Sequence, residues 1–205
     1  MTARRLRLVL LTVAGLAVGA MTALALIPQA RERLLPEGKV RTFGQASIGG
    51  PFALTDHTGK RVTDADFHGR YVLVFFGFTF CPDVCPSGLQ VMAAALDALG
   101  PKAERFVPVL ITVDPERDTP EQLAQYVQSF HPHLVGLTGT AAEIGAVARA
   151  YRVVVQKVAD PKSTAGYTIN HSALIHVMGP DGAHRAFFPY NTKVDDLARG
   201  LARLL

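Results

Sequence analysis

The spacing of hydrophobic and polar positions changes several times along this chain, and the changes divide it into elements. The first is Leu8 to Ile27, which carries no charged residue. As a helix rising about 1.5 Å per residue it would extend roughly 30 Å, the thickness of a bilayer core. Arg4, Arg5 and Arg7 precede it, an arrangement that keeps the arginines cytoplasmic and sends the rest of the chain across. Ala23 and Ala25 offer a small-x-small cleavage pattern. The apolar run, however, exceeds the roughly 7–15 residues of a signal-peptide core, so an uncleaved single-pass anchor is the expectation. Pro28 to Gly44 mixes Pro, Gly and charge and reads as a tether. The expected organisation is a cytoplasmic terminus over 1–7, a membrane span over 8–27, a linker over 28–45 and a folded domain over 46–205.

Within the domain, weak alternation at 52–55 and 62–63, separated by Asp56-His57-Thr58-Gly59-Lys60, predicts a hairpin. Tyr71 to Phe78 is apolar throughout, as a strand buried on both faces should be. Leu89, Met92, Ala93, Leu96 and Leu99 recur at helical steps and predict a helix over 87–99, stopped by Gly100-Pro101. Met92 lies on that stripe and is read as core. A second buried strand follows over 106–113, with Pro108 near its start or at a bulge. Thr119 caps a helix with Pro120 at its first position and a stripe of Leu123, Tyr126, Val127 and Phe130. A short strand over 134–137 precedes the capping box Thr140-Ala141-Ala142-Glu143, which opens a helix running to Tyr151. Further strands are expected over 152–158 and 173–177. Residues 160–168 read as a loop, and Ile169 to Ser172 lead into the strand at 173. Asp181-Gly182 turns a last hairpin into 184–188, and Val194, Leu197, Leu201 and Leu205 mark a final amphipathic helix. Strands alternating with helices predict an α/β fold: a central mixed sheet, parallel in its middle, flanked by helices and preceded by the hairpin.

Composition and charge alter this picture little. The chain has 205 residues and a net charge of +4, of which the three leading arginines supply most. The pI near 9.3 therefore reports membrane topology rather than nucleic-acid binding, and no basic patch interleaved with aromatics is present.

The chemistry gathers where the first buried strand ends. Cys81 and Cys85, the only cysteines, follow it in the stretch FGFTFCPDVCP. Pro82 disfavours a helical Cys81, and Pro86 is tolerated in a first helical turn, so both sulfurs are expected at a helix N-terminus. The positive end of the helix dipole favours thiolate at both. A disulfide closing so short a loop restricts the unfolded chain little, so a purely structural bridge is the weaker reading. A dithiol at the top of a central strand, leading into a helix, is thioredoxin-like. Exchange enzymes of that type use C-x-x-C, and here three residues intervene. Such enzymes also carry a cis-proline ahead of a strand facing the dithiol. The corresponding stretch here, Ile169-Asn170-His171-Ser172, has a histidine instead. Jointly with the dithiol, His171 becomes a candidate third ligand. Two thiolates and an imidazole suit copper, as Cu(I) or Cu(II), better than structural zinc, which prefers four protein ligands. His57, His68, His131 and His133 lie in polar turns and read as solvated, and His176 and His184 as structural or solvated.

FGFTFCPDVCP, TVDPERDTP (112–120) and Asn170-His171-Ser172 together resemble the Sco/SenC family of membrane-anchored copper chaperones. The resemblance implies a thioredoxin-like fold, with Cys81, Cys85 and His171 as the copper ligands. It implies delivery of copper to the binuclear centre of cytochrome c oxidase. The partners would be the apo copper-site subunit and another copper chaperone as donor, with no nucleic acid. The implied location is the inner (cytoplasmic) membrane, the C-terminal domain facing the periplasm or an equivalent space. The family typically has Asp where this chain has Asn170, which removes a carboxylate beside the expected ligand. The alternative is a membrane-tethered thiol-disulfide reductase using Cys81 and Cys85 to keep a partner's copper-ligand cysteines reduced. A peroxidase-like activity and an inert disulfide are the remaining readings.

Overall fold

A computed structural model describes residues 48–205 apart from 162–165, together with 7, 11–13 and 15. The chain divides into two units, 1–45 and 46–205. In the first, residues 7, 11–13 and 15 are helical, and the rest of the span expected over 8–27 lies outside the described residues. Among the described residues, no helix is long and apolar enough to cross a membrane.

The second unit is built on a seven-stranded mixed sheet in the order β2-β1-β5-β4-β3-β8-β9. Its strands are β1 (Ala53–Asp56), β2 (Arg61–Thr63), β3 (Tyr71–Gly77), β4 (Phe106–Thr112), β5 (Val135–Thr138), β8 (Leu174–Met178) and β9 (His184–Pro189). β3, β4 and β5 run parallel, and the hairpins β1–β2 and β8–β9 add antiparallel partners at the two edges. Four helices follow the expected positions: α1 (Val84–Leu99), α2 (Pro120–Val127), α3 (Ala141–Ala150) and α4 (Val194–Ala202).

The unbroken apolar run of β3 is explained by cover on both sides. Phe75 and Phe76 are both fully buried but face opposite ways. A Cβ on Gly88 of α1 would lie 3.0 Å from Phe75, whereas the Phe76 ring sits 5.3 Å from Tyr151 at the end of α3. Burying such a side chain stabilises the fold by roughly 1.5–3 kcal/mol. Pro108 is the third residue of β4 and pairs with Leu73, and β4 begins pairing with β5 only at Val109. No β5 bond is therefore asked of its missing N–H, which suits a proline in an interior strand. Thr119 and Thr140 cap α2 and α3 through their side chains, and Glu143 completes the capping box.

Two boundaries differ from the sequence reading. Helix α1 starts at Val84, ahead of Ser87, because Pro86 is accommodated within its first turn. The stretch 160–168 is not all loop: β6 (Val155–Ala159) and β7 (Tyr167–His171) pair antiparallel as a separate two-stranded sheet. His171 is thus the last residue of a strand rather than part of a lead-in loop, with Val155 opposite it.

Candidate metal centre

The end of β3 delivers the cysteines. Gly77 closes the strand where the chain passes under α1, and a Cβ there would meet Cys85 Sγ at 3.0 Å and Leu110 at 3.2 Å. Only glycine leaves the Cys85 sulfur in place. Cys81 lies in the turn before α1, and Cys85 in its first turn, fully buried. The Cys85 backbone N–H points at Cys81 Sγ at 3.4 Å, one of the donors a helix start leaves free.

The turn is held from outside the helix. Asp118, fully buried, accepts from the Thr79 backbone N–H at 3.1 Å, from the Thr79 hydroxyl at 2.6 Å and from the Thr112 hydroxyl at 2.6 Å. Burial raises its pKa against the pull of these bonds. Asp118 thereby ties the residues just before Cys81 to the end of β4.

His171 arrives on the other hairpin. Its Nε2 lies 3.3 Å from Cys85 Sγ, and its ring stands edge-on to Phe75 and Phe78. Its Nδ1 lies 3.2 Å from the Ser172 carbonyl oxygen. A proton on Nδ1 donated to that carbonyl leaves the Nε2 lone pair facing the sulfurs. The hairpin is clamped by contacts that reach back across the sequence. Tyr167 donates its hydroxyl to Asp114 at 2.9 Å, and Asp114 also receives the Arg117 Nε–H. The Arg117 guanidinium lies 3.9 Å from the Tyr167 ring and 4.9 Å from Phe80, a cation–π sandwich between the two halves of the site. Lys157 pairs with Glu116 at 2.7 Å and also covers Tyr167.

One Cys81, one Cys85 and one His171 donor atom all lie within 4.8 Å of one another, and no other such group occurs among the described residues. The sequence predicted this trio. It also predicted thiolate at both sulfurs, and there the structure differs. Cys81 is drawn down to about 4, first by the hydrogen bond from Cys85 and then, against burial, by His171. Cys85 is pushed up, first by that same bond to Cys81 and then by burial. The bond they share thus pulls the two titrations apart, Cys81 down and Cys85 up. Asn170 is exposed and pairs with Gln156. Of the histidines read as solvated, His57 instead accepts the Gly136 N–H at 3.1 Å. His131 accepts from the His133 N–H at 3.1 Å and organises its own turn. His176 is buried, as a structural histidine would be.

Sequence reading missed Asp118, Asp114, Arg117 and Tyr167 as supports of the site. The charged run 114–118 at the end of a buried strand was the available signal, since such strand ends carry function in open α/β sheets.

A mixed α/β fold that brings a C-x-x-x-C dithiol and a remote histidine within one coordination sphere defines a thioredoxin-like protein with a metal-binding rather than a plain exchange site. The SCO1/SenC family model matches residues 40–205, and the chain belongs to that family. The human protein "SCO1 homolog, mitochondrial" is 42% identical over 82% of this chain, which spans 56% of that protein's length. The crystal structure of Arabidopsis thaliana ScoI with copper bound superposes with a TM-score of 0.73 at 43% identity, covering 77% of this chain and 98% of that one. BsSco, described as a Sco-family cytochrome c oxidase assembly protein with a disulfide switch, superposes at 0.62 with 26% identity, covering 77% and 93%.

Proposed function

We propose that this chain is a copper metallochaperone acting in cytochrome c oxidase assembly, carrying copper as cargo on Cys81, Cys85 and His171. The observation that carries the reading is the convergence of two soft sulfurs and one imidazole within 4.8 Å, a donor set that favours copper. The copper-bound Arabidopsis structure supports it, as does the oxidase-assembly role of BsSco.

The chain's own groups suit capture and release. Cys81, partly exposed and with its pKa drawn down by the Cys85 hydrogen bond, makes the first bond. The Cys85 proton leaves as the second sulfur binds, and His171 closes the site from the opposite hairpin. Cys81 and His171 are both partly exposed, so an incoming ligand can displace one donor at a time. Oxidation to a disulfide removes both thiolates and empties the site, which gates it by redox state. The receiving partner is the copper-site subunit of the oxidase, with a second copper chaperone as donor. Residues 8–27 anchor the domain in the inner membrane, with 46–205 on the extracytoplasmic side.

The test is copper binding by the reduced full-length chain in detergent. One copper per chain at this site, with a thiolate-to-Cu(II) charge-transfer band, is expected. Loss of a partner that merely orients a ligand costs 10–100-fold in metal affinity, so His171→Ala is expected to weaken binding by more than about 100-fold. Dithiol exchange with a small disulfide should continue in that variant. Copper held as tightly as by the parent would refute the three-donor site.

A further inference from the structure

A second group of ligand-bearing side chains lies on the face of the sheet that carries α3. His176 pairs with Val74 of β3 and with Phe187 of β9. Met178, two residues on, points to the same face of β8, and His184 of β9 is directly opposite it. His176 is 3% exposed and Met178 4%. The two imidazole centroids are 5.6 Å apart.

The ring nitrogens are the anomaly. His176 Nδ1 and Nε2 and His184 Nε2 are all buried, and none has a hydrogen-bond partner. A neutral imidazole carries one donor and one acceptor, and leaving either unmade in the interior costs about 1–3 kcal/mol. Buried polar groups are paired in the great majority of cases, and exceptions point to an absent water or ion. Aromatic rings enclose the pair. Phe76 and Tyr151 stand edge-on to His176 at 6.3 and 5.7 Å, and Phe187 stacks on His184 at 6.4 Å. Those surroundings offer little for a water to bond to.

The spacing fits an ion. Two imidazoles sharing a metal, each nitrogen about 2.0–2.1 Å from it, hold their centroids roughly 5–6 Å apart. We propose that His176 and His184, with Met178 on the same face of β8 and opposite His184 in register as the third donor, form a second metal site, selective for Cu(I). A monovalent ion is favoured because burying charge without a counter-ion is costly, and a neutral two-nitrogen, one-sulfur set compensates least of a divalent charge. The thioether adds softness, which selects Cu(I) over zinc. Burial lowers both imidazole pKa values, with His176 near 4, so both rings are in the neutral, ligating form at neutral pH. Access is from the side: β9 is the edge strand, His184 is half-buried, and Phe187 beside it is 55% exposed.

The site does not depend on the dithiol, which makes it separable. Reduced full-length chain titrated anaerobically with Cu(I), in competition with a colorimetric Cu(I) chelator, should hold two ions. The Cys81→Ser/Cys85→Ser chain should still hold one, with a nitrogen and sulfur shell by X-ray absorption. Adding His184→Phe, a change at a half-buried edge position that need not disturb the core, should weaken the remaining ion at least about 10-fold, as loss of a metal-site residue does. Met178→Leu, which conserves volume, should weaken it and remove the sulfur scatterer. The proposal is overturned if the cysteine-free chain holds no Cu(I). It is equally overturned if that ion survives replacement of His184 with unchanged affinity.

Discussion

The two halves of the metal centre are held in different ways. The cysteine half belongs to the main sheet: β3 and Gly77 are buried, α1 buries the face that carries Cys85, and Asp118 knots the turn to β4. The histidine half sits on β6–β7, a two-stranded sheet that, among the described residues, pairs with no strand of the main sheet, and β6 is almost wholly exposed. Its attachment runs through Ile169, which is buried, and through the Asp114, Arg117 and Tyr167 clamp. The lesson is a division of labour. Where the fold itself fixes a ligand, damage should appear as lost stability. Where a clamp fixes it, damage should appear as lost metal affinity at nearly constant stability.

The largest effect expected is within the cysteine half. Cys85 is the first cause of the depressed Cys81 pKa, so Cys85→Ala should return the Cys81 titration from about 4 towards its ordinary 9.0. In the parent, alkylation of Cys81 should rise as pH passes about 4 and be flat above it. In the variant it should still be rising at neutral pH. The pH profile of iodoacetamide labelling reads this directly. An unshifted profile would mean that the helix N-terminus, rather than the partner thiol, holds the thiolate.

Next in size is Asp118→Ala. It takes the acceptor away from the Thr79 N–H, the half-buried Thr79 hydroxyl and the buried Thr112 hydroxyl, while removing the cost of burying a carboxylate. A net loss of about 2–3 kcal/mol is expected by denaturant unfolding. Because Thr79 is two residues from Cys81, copper affinity should fall as well. A variant of parental stability would show that the cysteine half is not knotted to β4 as described.

How far the sequence foretold these halves follows the same division. β3 and the cysteines were legible because an unbroken apolar run ending in Gly77, then Pro82 and Pro86 around the sulfurs, leaves few local conformations. Thr119 and Thr140 announced their helices through caps that need only three following residues. The pairing of β6 with β7 was not legible. Its members alternate poorly, with Gln156 and Lys157 exposed in β6 and Asn170 exposed in β7, and its stabilising contacts come from Asp114 and Arg117, some fifty residues away. His171 was found by chemistry, as the imidazole a dithiol would want, but its place in a strand was not. Nothing local told His57, which accepts a distant Gly136 N–H, from a solvated histidine.

The smallest expected effect is the sharpest test of the clamp. Tyr167→Phe removes one hydroxyl, whose bond to the Asp114 carboxylate is 2.9 Å long, and keeps the ring over Arg117 and Lys157. A half-exposed bond of that kind contributes about 1 kcal/mol. If that energy serves only to hold β6–β7 over the sulfurs, it should be lost from copper binding, a weakening of roughly 5-fold. The denaturation midpoint should hardly move, because the hydroxyl's bond is to Asp114 in the loop after β4 and the ring that packs on the core is kept. If the midpoint falls while copper affinity stays, the hairpin is an integral part of the folded core. The contrast between the two halves of the centre would then collapse, and His171 would be as firmly owned by the fold as Cys85.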